Sequence, residues 1–224
     1  MLPQNISEYG THPTENRDPL KFKAMALTFR YDGPVIPWNN VLVPHGSGTK
    51  TFNNGDVQTG MFLFGQANGR GSYQGSNGDY YRGNYANDYA DGEGESYQAV
   101  NLRRYKGTFR RGIEDGSGVI TMGDAVNCEY YKRYEGEVRN GKRHGRGKLY
   151  IKQVDGEIAS LEGTWANDVL NGQGTQISPT GQCFKGNFVR GYLEGEGTCK
   201  NADDGKTYDV FFTKGVVSKW MKVH

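Results

Sequence analysis

The chain has 224 residues, 27 Lys and Arg against 25 Asp and Glu, and a formal net charge of +2. Leu, Ile, Val and Phe number 42, about 19%, which with a high net charge would mark a disordered chain. The near balance of charge excludes that, and 34 glycines and 15 tyrosines point to a thin sheet with rings packed on glycine, not a helix-on-sheet core. No apolar run approaches the ~18 residues of a spanning helix. Cys128, Cys183 and Cys199 lack C-x-x-C spacing and read as reduced thiols. His12, His45, His144 and His224 are scattered, so no zinc site and no cofactor is expected. The sequon Asn5-Ile6-Ser7 has no meaning without a secretory route.

Residues 1–28 carry Pro3, Pro13 and Pro19 among Asn and Thr and read as an extended arm, packed on the rest of the chain or on a partner. Glu8, Glu15 and Asp18 argue against a mitochondrial presequence. Tyr31-Asp32-Gly33, with Gly46 and Gly48, opens a repeating pattern whose first turn is lengthened by the uncharged stretch from Pro34 to Pro44. The prolines at 34, 37 and 44 argue against a regular strand throughout. This insertion either folds back to cap the first hairpin or exposes an apolar patch around Trp38 and Val41 that marks a protein interface.

From Gly60 onward, glycines recur nine and eleven residues after a leading glycine. The leading glycines are Gly60, Gly83, Gly107, Gly136, Gly163 and Gly186, at intervals of 23, 24, 29, 27 and 23. The long intervals hold insertions at 124–133 and around 154–160. A turn dipeptide keeps register four and five residues after each leading glycine: Phe64-Gly65, Asn87-Asp88, Arg111-Gly112, Asn140-Gly141, Asn167-Asp168 and Arg190-Gly191. Its second member is always Gly or Asp, residues that tolerate positive φ. Aromatics flank the leading glycines, as in Tyr105-Lys106-Gly107-Thr108-Phe109, at Trp165, and in Phe184 and Phe188 around Gly186. Such a repeat is a β-hairpin, and a series of them is an antiparallel meander in which each hairpin is stabilised by its neighbours.

Tyr134–Tyr150 shows the unit most clearly. Tyr134, Gly136 and Val138 alternate with Glu135, Glu137 and Arg139; Asn140-Gly141 makes the turn; Gly145, Gly147 and Leu149 alternate back with Arg146, Lys148 and Tyr150. Rings, glycines and aliphatics then share one face and charges the other, and a ring covers each glycine slot. YEGEVRNGKRHGRG resembles the pattern of the MORN repeat family, over roughly residues 29–214, with Gln58, Leu161 and Phe184 where that pattern has Tyr. The resemblance implies an all-β, elongated, single-layer meander of about seven copies and a half-copy starting at Tyr208. Residues 215–224 would form a C-terminal cap, strand or short helix.

G-x-G pairs suggest phosphate loops, but none leads into a helix in a P-loop or βαβ context. Neither G-x-S-x-G nor H-E-x-x-H occurs, so no catalysis is expected. Charge is more informative. Residues 103–148 hold twelve Lys or Arg and six Asp or Glu, a local +6, against −4 for the rest of the chain. Arg103, Arg104, Lys106, Arg110, Arg111, Lys142, Arg143 and Arg146 are candidate binding residues for an acidic protein tail or anionic lipid. The plainer reading of the same residues is solvated turns and edge protection. Nucleic acid is not expected, because Lys106, Arg110, Arg146 and Lys148 fall on the parity opposite the rings, whereas base stacking needs rings and cations together. The resemblance implies a non-enzymatic scaffold, binding a peptide or helix of another subunit in the sheet groove, within a ciliary, axonemal or cytoskeletal assembly. A peripheral module for anionic phospholipid and an accessory subunit of an organellar complex are the alternatives. Open sheet edges also leave self-association as a route to assembly.

Overall fold

The computed structural model describes residues 29–123, 131–152 and 158–223. The arm at 1–28, Cys128, His12, His224 and most of both insertions fall outside them. Eighteen strands and one short 3-10 turn, Ala99–Asn101, make up the described chain. Every ladder is antiparallel, and, apart from the insertion in the first turn, strands pair in sequence order, as expected for a meander.

The chain divides into two units, the first ending at Ile120 and the second beginning at Thr121. In the first, β1 (Phe29–Asp32) pairs with β4 (Gly46–Phe52), which is followed by β5 (Val57–Leu63), β6 (Gln66–Gln74), β7 (Tyr80–Ala86), β8 (Tyr89–Gln98), β9 (Arg103–Arg110) and β10 (Ile113–Met122). Between β1 and β4, β2 (Val35–Trp38) and β3 (Val41–Pro44) form a separate two-stranded sheet. The stretch is thus no single strand throughout, as its prolines imply, but two four-residue strands. Asn39 and Asn40 take φ of 48° and 62° and close a tight hairpin turn, and Pro37 and Pro44 lie in strands that have only each other as neighbours. The second unit runs β11 (Tyr131–Arg139), β12 (Lys142–Lys152), β13 (Ile158–Ala166), β14 (Val169–Ile177), β15 (Cys183–Val189), β16 (Tyr192–Lys200), β17 (Thr207–Thr213) and β18 (Val216–Val223). The C-terminal segment is therefore a strand, and the half-copy from Tyr208 is completed by a turn at Lys214-Gly215.

The three glycines of each copy have different purposes. The first and third face each other across a ladder, as Gly83 faces Gly94 and Gly136 faces Gly147. A Cβ on Gly83 would lie 2.6 Å from the Gly94 Cα. The middle glycine answers a conformational need. Gly172 and Gly195 take φ of 91° and 78°, with nothing within 4 Å of an added Cβ. A register shift next to the leading glycine, such as Gly83/Tyr85 or Gly163/Trp165, accompanies them and bends the hairpin. Gly145 thus belongs to the bend, with φ 55°, and is not a slot beneath a ring as plain alternation implies.

The bend lets a one-layer sheet bury its rings. Tyr81, Tyr105 and Tyr134 are at most 1% exposed. Each lies over the third glycine of its own copy, Gly94, Gly118 and Gly147, and donates its hydroxyl to a backbone carbonyl: Asn84 (2.8 Å), Thr108 (3.0 Å) and Glu137 (2.8 Å). Edge-to-face contacts join the rings, with Tyr81 5.1 Å from Phe109 and Tyr134 5.6 Å from Trp165. Where Gln58, Leu161 and Phe184 replace the leading Tyr, a ring two residues beyond the start of the following copy covers the vacant glycine. Tyr85 lies over Gly71, Phe188 over Gly174 and Phe212 over Gly197.

Both rows of turns are latched. The second turn residue donates its backbone N–H to a carbonyl of an earlier strand: Gly65 to Pro44, Asp88 to Ala67, Gly112 to Ala90, Asp168 to Arg143, Gly191 to Leu170 and Gly215 to Leu193, at 2.7 to 3.0 Å. Asp88 and Asp168 add a side-chain bond, accepting the N–H of Ala67 (2.7 Å) and Arg143 (2.9 Å). Along the other row, Asp56 accepts the Ser76 N–H at 2.9 Å and Asp79 the Ala99 N–H at 2.8 Å.

Candidate functional site

The rings on the inner face are covered by one another and by their neighbours, with Tyr81, Tyr105, Phe109 and Tyr134 at most 1% exposed. The basic residues of 103–148 divide between the two units. In β9 the alternation of buried and exposed positions puts Arg104, Lys106 and Arg110 on the outer face. Arg103 has the parity of Tyr105 and Phe109, and is 2% exposed. Its guanidinium forms a two-pronged pair with Glu114, at 2.6 and 2.5 Å, and Glu114 also accepts from the Ser96 hydroxyl. Arg103 therefore acts inside the fold and presents no charge to a partner, a correction to its place among the candidates. Arg111 is exposed in the turn, at φ 48°, its N–H donated to Asp91 at 3.1 Å.

Arg143 in the second unit is also withdrawn. Its side chain is 12% exposed, ion-paired to Asp168 at 3.1 Å and stacked over Trp165 at 4.5 Å. Burial holds its guanidinium below the ordinary range, and Asp168 opposes that shift. Lys132, on the ring face of β11, is pushed down to about 8 by burial, with the Arg143 charge adding to the effect. Arg146 is exposed, and Lys142 is half-buried beside the turn. Lys148 pairs with Glu162 at 3.2 Å and lies 5.2 Å from the Tyr150 ring.

Lys106 and Arg110 lie on the face opposite Tyr105 and Phe109, as the alternation implies, but other rings do share the outer face with cations. Tyr80 and Tyr97, cross-strand partners on β7 and β8, stack at 5.4 Å. Arg82 lies 4.9 Å from the Tyr80 ring and Arg104 5.8 Å from the Tyr97 ring. The tyrosines stack on each other and each also carries an arginine, an arrangement that orients guanidiniums. Sequence reading missed this group because its members come from three strands; the cross-strand register is the signal that unites them.

The insertion hairpin is partly docked. Trp38 packs on Phe64 at 4.5 Å, and the Gly65 N–H bonds the Pro44 carbonyl at 2.8 Å. Its far side stays open: Trp38 is 48%, Val41 58% and Leu42 70% exposed. Both expectations for this stretch are thus partly met, a fold-back contact and an exposed apolar patch. No helix among the described residues is long and apolar enough to cross a membrane.

Stacked hairpins with glycine-seated rings define a β-repeat protein. The MORN repeat model matches residues 43–57, 59–80, 105–124, 134–152, 162–183 and 184–206, together more than half of the chain. The chain belongs to the MORN repeat family. It is similar to human and mouse Alsin, each 27% identical over 150 residues, 65% of this chain and 9% of Alsin. It is also similar to MORN repeat-containing protein 3 of Xenopus laevis, 34% identical over 71 residues, 32% of this chain and 30% of that protein. The chain therefore aligns with only a small part of these relatives.

Proposed function

We propose that this chain is a non-catalytic scaffold that binds another protein subunit, within a ciliary or cytoskeletal assembly. The observation that carries the binding reading is the insertion hairpin, where Val41 and Leu42 stand 58% and 70% exposed on a strand pair held in place from one side only. Apolar side chains fixed in that way and left in water favour a protein partner. The assembly itself rests on resemblance to family members. Affinity purification of the tagged full chain from its native source tests the reading, with Trp38→Ala/Val41→Ala compared against Arg110→Glu/Arg146→Glu. Loss of a stoichiometric partner with the first pair supports recognition by the hairpin. Recovery of no partner at all refutes the scaffold.

A peripheral module for anionic phospholipid is the second reading. It is favoured by Lys106, Arg110 and Arg146, exposed and in no ion pair among the described residues. Sedimentation with phosphatidylserine vesicles, and not with phosphatidylcholine vesicles, would select it.

A further inference from the structure

The first unit carries a second, more particular surface on its outer face. Arg104, Lys106 and Arg110 occupy alternate positions on β9, at i, i+2 and i+6, with Thr108 between. Successive same-face positions on a strand lie about 6.8 Å apart. The carboxylates beside this line on β8 are already engaged. Glu95 accepts from the Tyr80 hydroxyl at 2.7 Å and pairs with Arg104 at 3.4 Å, and Glu93 accepts from the Thr108 hydroxyl at 3.1 Å. Lys106 and Arg110 are in no ion pair among the described residues, and Arg104 remains 52% exposed despite its contact. Lys106, cross-strand from Glu95, and Arg110 therefore remain able to pair with carboxylates of a ligand, while Asp91 accepts the Arg111 N–H.

The cations are also positioned. Tyr97 lies beneath the Arg104 guanidinium, and Glu95, cross-strand partner of both Arg82 and Lys106, holds Arg104 from the side. The side-chain entropy lost on binding is thereby reduced, the usual advantage of a preorganised site.

We propose that the outer line of β9 docks an extended acidic peptide whose carboxylates fall at alternate residues. An extended chain repeats its side chains on one face with the period of the strand beneath it, so Glu-x-Glu spacing matches Arg104 and Lys106, and a further acid four residues on meets Arg110. A helix would need its carboxylates three or four residues apart to match the same spacing along its axis, so the sequence pattern of the acids tells the two apart. The proposal rests on the protein-scaffold reading and adds a partner chemistry at a site away from the insertion hairpin.

The test uses the full chain and two labelled peptides of identical composition, (Glu-Ser)4 and Glu4Ser4, in fluorescence anisotropy at about 50 mM salt. The alternating peptide should bind several-fold more tightly. Lys106→Glu/Arg110→Glu should weaken it about tenfold or more, as charge reversal replaces attraction by repulsion. Tyr97→Ser, which leaves the charge unchanged, should weaken it about two- to threefold by freeing Arg104. Circular dichroism melts confirm that each variant is folded. Equal affinity for the two peptides, or no loss in the charge-reversed variant, overturns the proposal. Binding to phosphatidylserine vesicles that the alternating peptide does not compete also overturns it, as the face is then a lipid surface. If the charge-reversed chain still retains its purified partner, the scaffold reading stands and the β9 site fails. If the unaltered chain captures no partner, it is the scaffold reading that fails.

Discussion

Replacing Gly94 by alanine should lower stability, although the general preferences of the two residues predict the opposite. Alanine loses less backbone entropy than glycine, a gain of about 0.5–1 kcal/mol, and fits strands slightly better. At Gly94 the added Cβ would lie 2.5, 2.7 and 2.8 Å from the hydroxyl oxygen, Cε2 and Cζ of Tyr81. Tyr81 has little room to retreat: it is fully buried, its hydroxyl is bound to the Asn84 carbonyl, and Tyr85 and Phe109 pack against it at 5.0 and 5.1 Å. Overpacking a site of this kind costs about 1–3 kcal/mol. The expected net loss is about 1–2 kcal/mol, a fall of roughly 2–8 °C in melting temperature for a chain of this size. Thermal melts and urea titrations by circular dichroism would measure it, using both because repeat arrays depart from two-state behaviour. Tyr81→Leu should itself destabilise by about 2–4 kcal/mol, but the double variant should recover about 1 kcal/mol or more relative to the sum. A Gly94→Ala protein that melts at or above the parent temperature would refute the ring-over-glycine account.

Three further outcomes follow from the same structure. Glu114→Ala removes the carboxylate paired with the buried Arg103 guanidinium and should cost about 3–5 kcal/mol, with Arg103→Met/Glu114→Met recovering most of it in urea titrations. Arg190→Asn should stabilise by about 0.5–1 kcal/mol, because Arg190 sits at φ 53° in a turn position that asparagine tolerates better; an unchanged or lower urea midpoint would argue against strain there. For pH, the Lys132 amine, at about 8 when folded, has given up a proton that the unfolded chain keeps to about 10.4. Stability should therefore rise from pH 8 towards 10. Above 10 it should fall, because buried tyrosines such as Tyr81 and Tyr105, raised by desolvation, stay protonated while the unfolded chain ionises. Lys132→Met should remove the rising limb in urea midpoints measured across that range.

Much of the fold was legible because the repeat imposes its spacing on the sequence. Asn140-Gly141 and Asn167-Asp168 announce their turns, and alternation around Tyr105 and Tyr134 assigns the faces correctly. Less legible were features that depend on a neighbouring copy. Phe64, Arg111 and Arg190 adopt positive φ like the asparagines at equivalent positions, since the two-residue turn fixes the backbone whatever the residue. Gln58 departs from the repeat's Tyr, and it is Tyr85 from the next copy that covers the glycine Gly71. Among the candidate site residues, Arg103 was grouped by charge with its neighbours when its parity with Tyr105 already placed it inside. Arg82, Tyr80, Tyr97 and Arg104 are spread over more than twenty residues of sequence and come together only through strand register.

The latched turns bear on how either unit would respond to load. Force applied along the stacking direction opens strand pairs end first, one hydrogen bond after another, where pulling along the strands would shear a whole ladder at once. In that peeling geometry the Gly112 N–H to Ala90 carbonyl bond at one row of turns, and the Asp79 to Ala99 bond at the other, tie a hairpin to its neighbour at both margins. A hairpin pulled from the end would give way in steps, each the size of one copy, while the copies behind it kept their shape.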